Sequence, residues 1–256
     1  LYAKFKAAKS LNANTDLAVE IDESISSIAF TTNQVIGGQT LTVYQTVGGT
    51  EISTAVSAGT FNFTSGSTNR YMIRTSPSAG TFQFPIGCVW GFMCCVTILG
   101  SIYTTPNTTL KYVFFTENSL TTINRFQNSA IIGKITIPIG VTNLAVNTFY
   151  QCLNITKVVT SNNLSVINGT SASGAFFLCS SLTEVDLGTG LTYIGADTFN
   201  GDTAMATLIV RAATPPTLDV NSLRGLPTSC VIKVPSGSVA AYKAATYWSA
   251  RASQII

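Results

Sequence analysis

From residue 110 towards the C-terminus, apolar side chains return in a fixed order. Aligned on Phe149, Phe176 and Phe199, the chain places Ile155, Leu182 and Met205 six positions later, and Val158, Val185 and Leu208 nine positions later. Five positions before Phe149 and Phe199 stand Leu144 and Ile194, and eight positions before stand Val141 and Leu191. The middle copy supplies Ile167 and Leu164 once a four-residue insertion near 169–173 is allowed. Three positions after the phenylalanines come Cys152, Cys179 and Asp202. A truncated earlier copy runs through Leu110, Val113, Phe115, Leu120, Ile123 and Phe126. The unit is about 23 residues long, a period that marks a stacked repeat rather than a single globular core.

Each unit holds one short strand (Ile135 to Ile137, Val185 to Leu187, Leu208 to Val210) and a return segment. Alone, such a unit leaves its apolar side in water. Stacked copies shelter one another and line equivalent side chains into ladders. Cys152 and Cys179 then occupy equivalent rungs as small buried residues rather than a disulfide. Phe92-Met-Cys-Cys95 has the same Phe-x-x-Cys spacing, which suggests a degenerate first coil.

Side chains alternate across a strand, so the rows that face outward follow from the alignment. One row is Tyr112, Lys134, Lys157, Glu184 and Thr207; the other is Phe114, Thr136, Val159, Asp186 and Ile209. Lys157 should face Glu184 one strand spacing away, about 4.8 Å. Two readings of this face stay open. It is an ordinary solvated sheet with one weak ion pair, or a ligand surface formed by Tyr112, Phe114, Lys134, Thr136, Lys157, Glu184, Asp186 and Thr207.

Earlier in the chain the period changes to two. Thr40–Val47, Gly48-Gly49 and the strand from Thr50 read as a hairpin with a two-residue turn. Thr60–Phe63, Tyr71–Arg74 and Thr81–Phe84 read as further strands, and together they predict a small β-sandwich. Residues 1–9 suit a short basic helix or an arm. The expected division is an N-terminal arm or helix over 1–20, a β-sandwich-like domain over 21–88, and a solenoid over 89–256 with a cap at about 229–256.

Composition narrows the function. Charged residues are 10% of the chain and the net charge is +3, with no basic run to track phosphates, so nucleic acid is not an expected partner. The chain contains no histidine, which removes Ser-His-Asp and Cys-His catalysis and His-containing zinc sites. Glu184 and Asp186, the paired carboxylates of the repeats, share one strand face without a cleft, so no glycosidase is expected. Glu20, Asp22 and Glu23 lack a cation-loop spacing, and no glycine-rich phosphate loop is present, so no metal or other cofactor is expected. The spacing of Cys88, Cys94, Cys95, Cys152, Cys179 and Cys230 matches no disulfide framework. The uncharged run Ile86 to Tyr103 has the length of a short membrane span, but it holds Gly87, Gly91 and Gly100 between Pro85 and Pro106 and reads as buried strands. Leu1 opens the chain without an initiator Met or a signal-peptide layout, so compartment is not read from a targeting segment. Asn62, Asn107, Asn154, Asn163 and Asn168 begin Asn-x-Ser/Thr triplets, which matter only in a eukaryotic secretory pathway.

Leu182-Thr-Glu-Val-Asp-Leu-Gly-Thr-Gly-Leu-Thr-Tyr-Ile-Gly-Ala-Asp-Thr-Phe199 resembles the BspA-like leucine-rich repeats of bacterial and some protist surface proteins. Ile135 to Phe149 follows the same pattern. The segment from Cys230 to Trp248 is similar to the closing segment of such arrays, in which a last strand leads into a short covering helix. Ser236 or Ser238 would cap that helix, with Tyr242, Ala245 and Trp248 on one face. The resemblance spans about residues 110–256. It implies an extracellular or cell-surface setting and adhesion or ligand binding, with no catalytic residues to carry over.

The expected molecule is mainly β, a sandwich-like N-terminal domain followed by a leucine-rich-repeat solenoid with a C-terminal capping helix. It is not expected to be an enzyme. Its partner is a protein or glycan on a host surface, with location at the cell surface. The alternative is a structural or host-binding part of a phage or virus particle, with neighbouring subunits as partners. Membrane is not an expected partner.

Overall fold

A computed structural model describes residues 17–21, 26–30, 41–56, 59–74, 82–84, 88–93, 101–104, 112–115, 122–123 and 126–256. Expectations for residues 1–9, Cys94, Cys95, Asn107, Asp22 and Glu23 fall outside them.

The first strands are β1 (Leu17–Ile21), β2 (Ser27–Phe30), β3 (Leu41–Val47), β4 (Thr50–Val56), β5 (Gly59–Asn62) and β6 (Thr68–Arg74). The predicted hairpin is present: β3 and β4 pair antiparallel with Val47 opposite Thr50. Gly48 and Gly49 turn it with φ of 55° and 81°. Two consecutive positive φ values define the type I′ turn, whose twist matches that of its strands, and glycine adopts them without steric cost.

From β7 onward the chain winds. The odd-numbered strands are β7 (Phe82–Phe84), β9 (Ser101–Thr104), β11 (Thr122–Ile123), β13 (Asn143–Leu144), β15 (Val166–Ile167), β17 (Tyr193–Ile194) and β19 (Thr217–Leu218). They form one seven-stranded sheet in which every pairing is parallel. The alternating partners are β8 (Cys88–Met93), β10 (Tyr112–Phe115), β12 (Gly133–Thr136), β14 (Ile155–Val159), β16 (Glu184–Leu187), β18 (Thr207–Val210) and β20 (Val231–Lys233). The last five make a parallel sheet in the order β12-β14-β16-β18-β20. This is the predicted solenoid, two parallel ladders closed by turns.

The N-terminal strands are arranged differently from the expected sandwich. β1, β3, β4 and β6 join β8 and β10 in a six-stranded sheet ordered β10-β8-β1-β6-β3-β4, while β2 pairs with β5. Strand pairing thus links the two sides of residue 88. β7 lies before it and belongs to the solenoid sheet; β8 and β10 lie after it and carry the N-terminal strands. The physical reason is the edge of β8, whose unpaired backbone groups accept β1 antiparallel. The described parts of the uncharged run form β8 and β9, one strand of each alternating series. No helix among the described residues is long and apolar enough to cross a membrane.

Inside the solenoid the predicted column is real. Phe126, Phe149, Phe176 and Phe199 are all buried and stack with centroids 5.8, 5.5 and 5.8 Å apart. Tyr150 and Phe177 form a second stack at 5.6 Å. Two residues after each phenylalanine of the column the backbone turns left-handed, at Asn128, Gln151, Leu178 and Gly201, and Gly225 does the same after Leu223. Neighbouring coils also approach closely at Gly169 and Gly195, where a Cβ on Gly195 would lie 2.2 Å from the Gly169 nitrogen.

The C-terminal end is closed as predicted, with a change of detail. A 3-10 turn, Ser236–Ser238, leads into helix α1 (Val239–Ala244). Neither Ser236 nor Ser238 caps the helix through its side chain. Ser238 Oγ donates instead to the Ala213 carbonyl at 2.6 Å, tying the cap to the last coil. The helix stops at Ala244, so Trp248 reaches the core from the following turn and not from the helix face. Tyr242 and Trp248 still meet at 5.0 Å, both fully buried. Their polar ends bond the Ala212 and Pro216 carbonyls at 2.8 Å each. Ile255 bridges to Ile232, so the chain end covers part of the β20 edge.

Candidate functional site

The register of the five-stranded sheet places the outward rows as the alternation requires. Lys134, Lys157, Glu184, Thr207 and Val231 are consecutive partners, and so are Thr136, Val159, Asp186, Ile209 and Lys233. Between them runs the inward row Ile135, Val158, Val185, Leu208 and Ile232, each at most 1% exposed. The outward residues are exposed or half-buried. One fully dry row thus holds two wet rows in fixed positions, a rigid flat surface of the kind that positions contact residues well.

Tyr112 and Phe114 do not extend those rows by hydrogen bonding. They lie on β10, where they are opposite Trp90 and Phe92 of β8 in the six-stranded sheet. β10 and β12 come into contact but belong to different sheets. The candidate face therefore begins at Lys134. At its other end it gains Val231 and Lys233, which sequence reasoning left out. The signal was available, because Cys230-Val-Ile-Lys233 reads as the last strand and the same two-residue spacing places Lys233 outward.

The expected ion pair is present, with Lys157 Nζ 2.6 Å from Glu184 Oε1. A second one was not foreseen. Arg211 holds Asp186 in a bidentate clasp, Nε to Oδ1 at 2.7 Å and Nη2 to Oδ2 at 2.8 Å. The hydrogen bonds and charge of Asp186 push the Arg211 pKa up further. Arg211 lies one residue past β18 and continues the outward alternation of Thr207 and Ile209. Both carboxylates of the face are thus bound to cations, unlike the two roles that acid–base glycoside hydrolysis requires of its pair. Lys134 and Lys233 have no ion-pair partner among the described residues and stand on opposite outer strands, β12 and β20.

Buried titratable groups sit in the column three residues after the phenylalanines, where Ser129 precedes Cys152, Cys179 and Asp202. Cys152, Cys179 and Cys230 are free thiols. The Cys152 and Cys179 thiols donate to the Phe126 and Phe149 carbonyls at 3.0 and 3.1 Å. Burial pushes the Cys152 pKa up to about 12 and that of Cys179 well above its ordinary value. A thiol that does not ionise is a poor nucleophile and a poor metal ligand. Asp202 is fully buried; its Oδ1 accepts the Cys179 N–H at 2.8 Å and its Oδ2 has no partner. Burial drives its pKa well above the usual carboxylate range, so it favours the neutral acid.

No group of three or more metal-ligating side chains occurs among the described residues, and Glu20 lies on β1. On the seven-stranded side, Tyr193 Oη donates to Asp219 Oδ2 at 3.1 Å, a pair the sequence reading did not single out.

Compared with known proteins, residues 101–215 match the BspA type leucine rich repeat region, in six copies. No curated protein matches the chain.

Proposed function

Because residues 101–215 form a BspA-type leucine-rich-repeat region, we propose that this protein is a non-enzymatic surface adhesion module. It holds a protein ligand across its five-stranded parallel sheet. Repeats of this kind generally mediate protein–protein interaction, and those of the BspA type are typically surface proteins. The observation that carries the reading is the sheet itself, five strands in register with a dry inner row and two solvent-facing outer rows. The absence of histidine from the sequence and the neutralised pair Glu184 and Asp186 support a binding role over a catalytic one.

The contact surface in this reading is Lys134, Thr136, Lys157, Val159, Glu184, Asp186, Thr207, Ile209 and Lys233. Tyr112 and Phe114 contribute only if the partner also reaches the neighbouring sheet. Obligate charged cores are rare in such interfaces, so the half-buried Val159 and Ile209 supply the apolar centre, with Lys134 and Lys233 towards the rim. The test is binding of purified extracellular-matrix proteins to the immobilised chain. Thr136→Arg and Thr207→Arg add bulk to the outward rows without touching a core atom. At least one matrix protein binds, and both variants abolish that binding while melting stays unchanged. A panel with no binder, or binding indifferent to both variants, refutes the proposal.

A further inference from the structure

A pocket of about 290 Å³ opens at the corner where two successive coils turn towards β12 and β14, lined by Asn128, Ser129, Ala130, Gln151, Leu153 and Asn154. Asn128 and Gln151 occupy the left-handed corner of their coils, with φ of 57° and 54°. Their backbone N–H groups donate to the Tyr150 and Phe177 carbonyls of the next coil, so the ladder consumes the main chain and leaves the side-chain amides over. Several other carboxamides of the stack are engaged, although the buried Oδ1 of Asn147 is likewise without a partner. Asn162 Oδ1 accepts the Thr189 N–H, and Asn163 Nδ2 donates to the Ile139 carbonyl. Asn168 bonds Asn143 and Leu144, and Asn200 bonds Asp197. Each of those carboxamides is spent on holding coils or turns together. The carboxamides of Asn128, Gln151 and Asn154 make no side-chain hydrogen bond among the described residues, and all three line one pocket.

The Ser129 hydroxyl lies beneath this lining, out of reach of solvent. It is 3% exposed as a residue, and its Oγ has no hydrogen-bond partner. Lower in the same column the Cys152 and Cys179 thiols satisfy themselves on carbonyls. A buried hydroxyl without a partner costs stability and calls for an explanation. Leu153 adds an apolar wall that is 51% exposed.

We propose that this corner pocket binds a neutral sugar ring, a single hexose unit of a glycan. Carboxamides both donate and accept, as sugar hydroxyls do, and three of them can satisfy neighbouring hydroxyls on one ring. No charged side chain lines the pocket, which disfavours uronic and sialic acids. Leu153 meets the C–H face of a pyranose. The volume is at the lower end of ligand pockets, roughly 300–1,000 Å³, and so admits one ring rather than a chain buried along its length. The site is separate from the outward rows of the sheet and does not rest on that reading.

The test is saturation-transfer NMR of the full chain with the methyl glycosides of glucose, galactose and mannose. At least one glycoside receives saturation. Gln151→Gly, which suits the left-handed backbone, and Asn154→Ala each weaken it roughly three- to tenfold, and Leu153→Asp abolishes it. Leu153 and Asn154 are exposed, so these variants fold as the parent does. Thr136→Arg and Thr207→Arg leave sugar binding intact, which separates this site from the sheet face. Transfer to none of the three glycosides overturns the proposal. So does transfer undiminished in all three pocket variants, or binding of triglycine amide in place of every sugar.

Discussion

Replacing Phe176 by leucine tests whether ring stacking, and not burial alone, holds the coils in line. Phe176 stacks on Phe149 at 5.5 Å and on Phe199 at 5.8 Å, with interplanar angles of 3° and 2°. Phe199 is equally buried, yet among the described residues it has a ring partner on one side only. Leucine keeps most of the apolar area and removes the ring, at a repacking cost usually under about 1.5 kcal/mol. Each lost aromatic pair adds about 0.5–1.5 kcal/mol beyond burial. Phe176→Leu should therefore exceed Phe199→Leu by one pair, about 0.5–1.5 kcal/mol. In a chain of this size that is a further drop in melting temperature of roughly 1–6 °C. Urea unfolding of both variants with an unchanged denaturant slope gives the difference directly. If the two substitutions cost the same, burial alone accounts for the column and the stacking argument fails.

Other predictions follow from single residues. Asp202 has a raised pKa in the folded chain, so the folded state retains a proton that the unfolded state releases. The stability contribution is thus greatest below about pH 4 and declines as pH rises towards the folded pKa. Asp202→Asn keeps the acceptor for the Cys179 N–H and removes this decline, so the variant gains on the parent as pH rises from about 4 to neutrality; a gap in urea midpoint that does not change with pH refutes it. Gly195→Ala forces its Cβ to within 2.2 Å of the Gly169 nitrogen, a backbone atom that cannot swing away. It should lower the melting temperature by several degrees, more than Gly237→Ala, where nothing lies within 4 Å. Lys157→Ala should change stability by no more than about 1 kcal/mol, since its pair with Glu184 is about one-third exposed on each side. Iodoacetamide should leave Cys152 and Cys179 unmodified in the native chain and alkylate both in denaturant, read by mass spectrometry.

The repeat was legible because its cause is periodic. Every coil must bury the same positions, so Phe149, Phe176 and Phe199 announced a column and Val158, Val185 and Leu208 announced a buried row. The same periodicity puts Lys157 beside Glu184, where the register places it. Where the cause is not periodic, the sequence said less. Tyr112 reads like a member of the row, but the pairing partner of β10 depends on which strand edge is free. In the fold β10 pairs with β8 and is the outer strand of its sheet, as β12 is of the next, so the row breaks between them. Arg211 continues the outward parity of Thr207 and Ile209 one residue past β18, and its clasp on Asp186 is a diagonal contact from outside the strand's own residues. Ser238 has the composition of a helix cap, yet the Ala213 carbonyl, supplied by a distant coil, is the better partner. The pocket carboxamides were unremarkable in a chain rich in asparagine; only their convergence on one pocket sets them apart.

Because each coil bonds its neighbours in register and the closing helix docks on the last one, the length of the contact face is adjustable in quanta. Duplicating one whole repeat between Phe176 and Phe199 would lengthen the molecule by about one strand spacing, 4.8 Å, and leave both ends chemically unaltered. A lineage that needs to grip a longer partner can therefore measure out reach by copying a single exon-sized segment, without redesigning the surface it already has.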